Sequence, residues 1–234
     1  MKVKLTHGKR QFDVDVEFLE RKRLSITVHP DLHITAKAPI NTDRDVIKKR
    51  LEKRVGWIAK QLNYFERFQP LPPERAFISG ETHYYLGRQY RLKIRSGSVQ
   101  RVRLIGRFFE MELHDTGNNI KAREIMMHWY SDHARELLVR RLSQYLSVFV
   151  KMGIPAPEIR LRRMKRRWGS CSANGVIILN TELVKAPIHC VDYVLVHELC
   201  HLKYPNHDKK FFQLLRRILP DWEKRKERLE KVVI

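Results

Sequence analysis

Apolar and polar residues alternate with period two near the start of the chain. Phe12, Val14, Val16 and Phe18 are separated by single polar residues, and the pattern returns at Leu24 to Val28 and Leu32 to Ala36, on either side of Pro30-Asp31. Alternation at that period places one row of side chains on a buried face, so residues 11 to 39 predict a β meander. The period then changes. Val46, Ile47, Leu51, Val55, Ile58 and Leu62 keep helical spacing over residues 43 to 68, and Pro70 to Pro73 ends the pattern. Further strands are expected near 76 to 78, 84 to 86, 90 to 94 and 102 to 113. The broad stripe Ile125, Met126, Trp129, Leu137, Leu138, Leu142, Leu146 and Phe149 predicts one long helix over 119 to 152. Short strands at 158 to 162 and 175 to 181, joined by a basic loop and a turn at 172 to 175, precede a helix with Val194, Leu195, Leu199 and Leu202 on its buried side, which Asp192 caps and Pro205 stops. Helices at 208 to 219 and 221 to 232 close the chain. The pattern is that of an α+β protein with a strand-rich N-terminal lobe, residues 1 to 115, and a second lobe, residues 116 to 234. No repeat is visible in the sequence.

The helix after the small sheet carries the chemistry. His197-Glu198-Leu199-Cys200-His201 places two imidazoles four residues apart on one helical face with a carboxylate beside them, and His207 follows six residues later. In chains of this composition His-Glu-x-x-His arises by chance in roughly 3 of 100, and with the further histidine in roughly 2 of 1000. The set suits a tetrahedral Zn²⁺ held by His197, His201 and His207 that keeps one position for water, with Glu198 as general base. The spacing also matches metzincins, but Tyr204 stands at their glycine position and no methionine follows Met164. Pro205-Asn206 would turn the chain instead, and His189 or Glu223 would replace His207 if that turn failed.

Charge widens the choice of substrate. Lys and Arg number 47 against 26 Asp and Glu, a net charge of +21, which makes polyanions plausible partners or substrates. The cluster from Arg160 to Arg167 directly precedes the candidate site, whereas most other basic clusters read as solvated faces. Arg163, Arg166 and Arg167, with Asn180 and Tyr204, are the candidate substrate-binding residues. Two reactions compete: peptide hydrolysis, with a substrate strand added to a free edge of residues 176 to 180, and nucleoside triphosphate hydrolysis, with the arginines holding phosphate. A third reading is a protease delivered to DNA by non-specific nucleic-acid binding. Three cysteines are too few for a disulfide framework, no apolar run reaches the roughly 20 residues needed to span a bilayer, and the N-terminus lacks a signal-peptide core. A cytoplasmic protein without a membrane partner is expected.

Arg167-Trp-Gly-Ser-Cys-Ser172, Gly175 to Asn180, Ala186-Pro187, Asp192 to Leu202 and Asn206-His207 together resemble the YgjP-like family of metal-dependent hydrolases. Ser79-Gly80-Glu81 and Tyr85-Leu86-Gly87 extend the likeness more weakly toward the N-terminus. The resemblance implies a zincin-like catalytic lobe, distantly similar to the SprT-like and WLM families of DNA-associated proteases. It also implies His197, His201 and His207 as metal ligands and Glu198 as base. Members of the family are mostly described as metallopeptidases and some relatives as nucleoside triphosphate pyrophosphatases, so the metal is better specified than the substrate.

Overall fold

The structure is a computed structural model that describes residues 1–29, 31–67, 69, 75–164 and 167–232. It is α+β and divides into two compact units, residues 1–73 and 74–234, each with its own apolar core. No helix among the described residues is long and apolar enough to cross a membrane.

The first unit contains β1 (Lys2–His7), β2 (Arg10–Leu19), β3 (Ser25–Val28) and β4 (Ile34–Pro39), followed by α1 (Arg44–Glu52) and α2 (Val55–Glu66). The expected alternation holds, with Phe12, Val14 and Val16 buried, but the sheet is not a meander. Its order is β1-β2-β4-β3, and β4 lies parallel to β2. The chain crosses from β2 to the far edge before returning, because the small inward residues of β4, Ala36 and Ala38, suit the centre of the sheet, while β3 is only half-buried. The single helix expected over 43 to 68 is two helices. Asp43 caps the first by accepting a hydrogen bond from the Asp45 amide, and the chain breaks at Lys53-Arg54 although the apolar spacing continues across the break. The stop expected at Pro70 to Pro73 lies outside the described residues.

The second unit opens with β5 (Thr82–Tyr85), β6 (Arg88–Ser96), β7 (Arg101–Ile105) and β8 (Phe108–Leu113), then the 33-residue helix α3 (Asn119–Lys151). These strands repeat the order and directions of the first sheet: β5-β6-β8-β7, with β6 and β8 parallel. The strand expected over 102 to 113 is divided by a turn at Gly106, where φ is +56°. Next come β9 (Glu158–Arg162), β10 (Gly169–Cys171) and β11 (Val176–Asn180), a 3-10 turn at Thr181–Lys185, α4 (Ile188–His201), α5 (Lys209–Ile218) and α6 (Trp222–Glu230).

The division expected at 115/116 falls inside this unit. Phe109 and Met111 of β8 belong to the same core as Met126 and Trp129 of α3 and Val191 and Leu195 of α4. The β5–β6 turn is also tied to the segment before α4: the Leu86 and Gly87 amides donate to the carbonyls of Val184 and Lys185, at 2.8 and 3.0 Å. A second difference concerns the small sheet. Its order is β10-β11-β9, so β11, expected to offer a free edge, is paired on both sides, and the edge strands are β9 and β10.

Candidate metal centre

Helix α4 starts behind Pro187, and Asp192 lies inside it rather than at its cap. Asp192 is buried and accepts two hydrogen bonds from Arg141 of α3, at 2.8 and 2.5 Å, while Arg225 of α6 approaches to 3.7 Å. A buried carboxylate with two guanidinium partners ties three helices together one turn before the histidines.

One and two turns further along α4, His197 and His201 emerge on the same side, and the loop after α4 returns His207 to them. One nitrogen from each of the three imidazoles lies within 4.8 Å of the others. The Nε2 atoms of His197 and His207 are 3.0 Å apart. His201 Nδ1 donates to the Tyr204 carbonyl at 3.1 Å, which fixes its tautomer and leaves Nε2 as the lone-pair nitrogen. Phe211 of α5, fully buried, packs against all three rings at 4.7 to 5.0 Å between centroids. Burial, then the neighbouring His201 and His207, lowers the His197 pKa to about 3; burial also lowers that of His207. Neutral imidazoles are the form that binds a metal, and a set made only of imidazoles suits a borderline divalent ion. The buried His197 Nδ1 has no hydrogen-bond partner among the described residues, and its ring packs against Tyr193 and Phe211. The residues present therefore fit a divalent metal ion. His189, at the exposed start of α4, and Glu223, paired with Arg216 at 2.8 Å, are outside the cluster.

Glu198 is buried beside this cluster, and burial raises its pKa to about 7 against the opposing charge of Arg167. Its carboxylate lies against β10, where a Cβ on Gly169 would stand 2.7 Å from Oε1, 2.8 Å from Cγ and 3.0 Å from Cδ. Gly169 is thus the residue that makes room for Glu198. The sequence carries it only as part of Trp168-Gly169-Ser170-Cys171, with no local sign of what it faces.

The substrate-binding candidates separate. Asn180 is fully buried, and its amide is saturated: Nδ2 donates to the carbonyls of Met164 and Arg167, and Oδ1 accepts from the amides of Met164 and Glu182. It ties Met164 to Arg167, with both amide hydrogens engaged there rather than free for a substrate as expected. Arg163 is 3.6 Å from the buried Glu182, Arg167 is exposed and acts electrostatically on Glu198, and Arg166 lies outside the described residues. Tyr204 orients His201 through its carbonyl while its ring packs on the core. Cys200 is buried, its thiol pushed up to about 12 by burial, in keeping with a packing role. Lys226 of α6 was not singled out in the sequence, yet its charge acts on both His197 and His207.

The model of the YgjP-like family, described as a metallopeptidase domain, matches residues 22–232. The chain belongs to the YgjP-like family. Among solved structures, this YgjP-like chain is similar to the metallopeptidase zymogen jannalysin of Methanocaldococcus jannaschii, with 21% identity, a TM-score of 0.35, and coverage of 39% of this chain and 92% of that one. It is also similar to the metallopeptidase zymogen abylysin of Pyrococcus abyssi, with 22% identity, a TM-score of 0.31, and coverage of 44% and 90%. No curated protein matches the chain. Family membership and the three-histidine cluster agree on a metal-dependent, peptidase-type hydrolase.

Proposed function

We propose that this YgjP-like protein is a zinc-dependent peptidase in which His197, His201 and His207 hold the ion and Glu198 is the general base. The observation that carries the reading is the convergence of three imidazoles beside a buried carboxylate. Zinc bound there would supply a Lewis acid, lowering the pKa of water and polarising the scissile carbonyl. Glu198 accepts the proton of the attacking water on a carboxylate oxygen and returns it to the leaving amine as the C–N bond breaks. Its burial makes it a stronger base than an exposed glutamate. Arg167 supplies positive charge next to it for the oxygen of the carbonyl under attack.

An extended substrate would add to β10, the edge strand that meets Glu198, by backbone hydrogen bonds. Nucleotide hydrolysis fits less well. Arg163, needed as a phosphate clamp, lies against Glu182, whose carboxylate also pairs with Lys185.

The test is metal content by elemental analysis, combined with activity of wild type and Glu198→Gln on unstructured proteins and on nucleoside triphosphates. Both proteins should contain stoichiometric zinc, and the substitution should lower proteolysis by about 10²- to 10⁴-fold. Glu198-dependent pyrophosphate or phosphate release without proteolysis would move the assignment to nucleotide hydrolysis. Loss of zinc from Glu198→Gln would make Glu198 a ligand and remove the proposed base.

A further inference from the structure

In the first unit, α1 and α2 bury Ile47, Leu51, Ile58 and Leu62. On the solvent side Lys49 of α1, Lys53 at the break, and Trp57 and Lys60 of α2 are all exposed, and Trp57 and Lys60, three apart on one helix, share a face. Lys48, Arg50 and Arg54 flank them and are exposed as well. Glu52 is the one acidic residue between positions 48 and 60. The ion pairs Arg10–Glu66, His33–Asp15 and Lys37–Glu17 of this unit use no cation of this face.

Some surface cations elsewhere are paired. On the outer face of the second sheet, Arg101 and Arg103 pair with Glu112, and Arg95 approaches Glu110. On α1 and α2 like charges are instead left to repel one another around a tryptophan that is 43% exposed. Tryptophan is ordinarily well buried, and an open indole ringed by cations is the combination that receives a base on its ring and phosphates at its rim.

We propose that the outer face of α1 and α2 binds single-stranded nucleic acid, with Lys49, Lys53 and Lys60 on phosphates and Trp57 stacked on a base. A membrane surface fits less well. The apolar sides of both helices are already buried in their own core, leaving little beyond Trp57 and Val46 to enter a bilayer, whereas an interfacial helix inserts its whole apolar face. The site lies in the unit that lacks His197, His201 and His207 and is independent of the peptidase reading.

The full-length protein would be titrated into a labelled oligodeoxythymidine of about 20 nucleotides, longer than the roughly 4–16 of a single-strand site, with anisotropy read at roughly 0.05 to 0.2 M salt. Removing three phosphate contacts in Lys49→Gln/Lys53→Gln/Lys60→Gln should reduce the slope of log affinity against log salt by about 2, and affinity at least about tenfold. Trp57→Ala should weaken binding about tenfold with the slope unchanged, the mark of stacking. The charge-matched control Arg88→Gln/Arg91→Gln/Arg107→Gln, at three exposed positions of the second unit, should stay near wild type. All these variants should keep the wild-type melting temperature, because the side chains changed lie outside both cores. Equal losses in the two triple variants would reduce the effect to diffuse net charge and overturn the proposal. So would unaltered binding by Trp57→Ala, no salt-dependent binding by wild type, or tight binding to phosphatidylserine vesicles without binding to the oligonucleotide.

Discussion

Gly169→Ala tests the geometry of the candidate site with a single added methyl. The new Cβ would lie 2.7, 2.8 and 3.0 Å from Oε1, Cγ and Cδ of Glu198. Three consecutive atoms are involved, including the stem of the side chain, so rotating the carboxylate alone does not relieve the contact. Glu198 is almost fully enclosed and must shift as a unit, or β10 must move away from α4. Gly169 does not have a positive φ, so alanine adds no backbone strain and the clash is the whole perturbation. Overpacking of this kind costs about 1–3 kcal/mol, at about 2–4 °C in Tm for each kcal/mol. Displacing a catalytic group by about 1 Å costs on the order of 10²-fold in rate. The three atoms nearest the added methyl all belong to Glu198 and none to a histidine, so zinc content should be unchanged. The assay compares kcat/KM on an unstructured protein with zinc stoichiometry and Tm measured on the same preparation. A variant with wild-type zinc whose kcat/KM stays within about threefold of wild type would refute the role given to the Glu198–Gly169 contact.

Asp192→Asn removes the carboxylate between Arg141 and Arg225 and leaves a buried guanidinium short of its partner; a loss of about 3–5 kcal/mol by urea denaturation is expected, and a loss below about 1 would mean that solvent takes over the pairing. Burial lowers the His83 pKa to about 4, so the folded protein holds this ring neutral while the unfolded chain protonates it near 6.5. Its contribution is complete above pH 6.5 and is lost as pH falls toward 4, by up to about 3 kcal/mol. His83→Gln should flatten that part of the profile of Tm against pH, and an unchanged profile would assign the acid sensitivity to other groups. Zinc added to chelator-treated protein at about a thousandfold excess over Kd should contribute about 4 kcal/mol, or roughly 10 °C in Tm. His201→Ala should abolish the shift, and a shift that survives would place the ion elsewhere.

What could be read from the sequence was local. His197, Glu198 and His201 are neighbours on one helical turn, and His207 is only six residues beyond, so spacing alone anticipated their meeting. Gly169 and Glu198 are far apart in sequence, as are Arg141 and Asp192, and neither contact has a periodic signature. Asp192 at the start of an apolar run reads as a cap until Arg141 is brought to it. The break between α1 and α2 was hidden because the apolar positions 47, 51, 55, 58 and 62 keep helical spacing through it. The strand alternation in the first sheet identified which faces are buried, but strand order is a tertiary choice, and the insertion of β4 beside β2 leaves no mark on that alternation. Asn180 read as a polar group available to substrate because nothing in the sequence indicates that three loop carbonyl and amide groups at Met164 and Arg167 would converge on it.

The two-residue turn between β5 and β6 has a consequence for how this fold can vary. Leu86 and Gly87 both have positive φ, and their amides hold the carbonyls of Val184 and Lys185 just before α4. The fastening is made by main chain, so most side chains along it are free to differ among proteins that share the fold. Gly87 is the exception, since a Cβ there would come within 2.6 Å of Pro187. The alignment of the metal-binding helix with the strands before it is thus written almost entirely in the path of the backbone, with one glycine as its only obligatory letter.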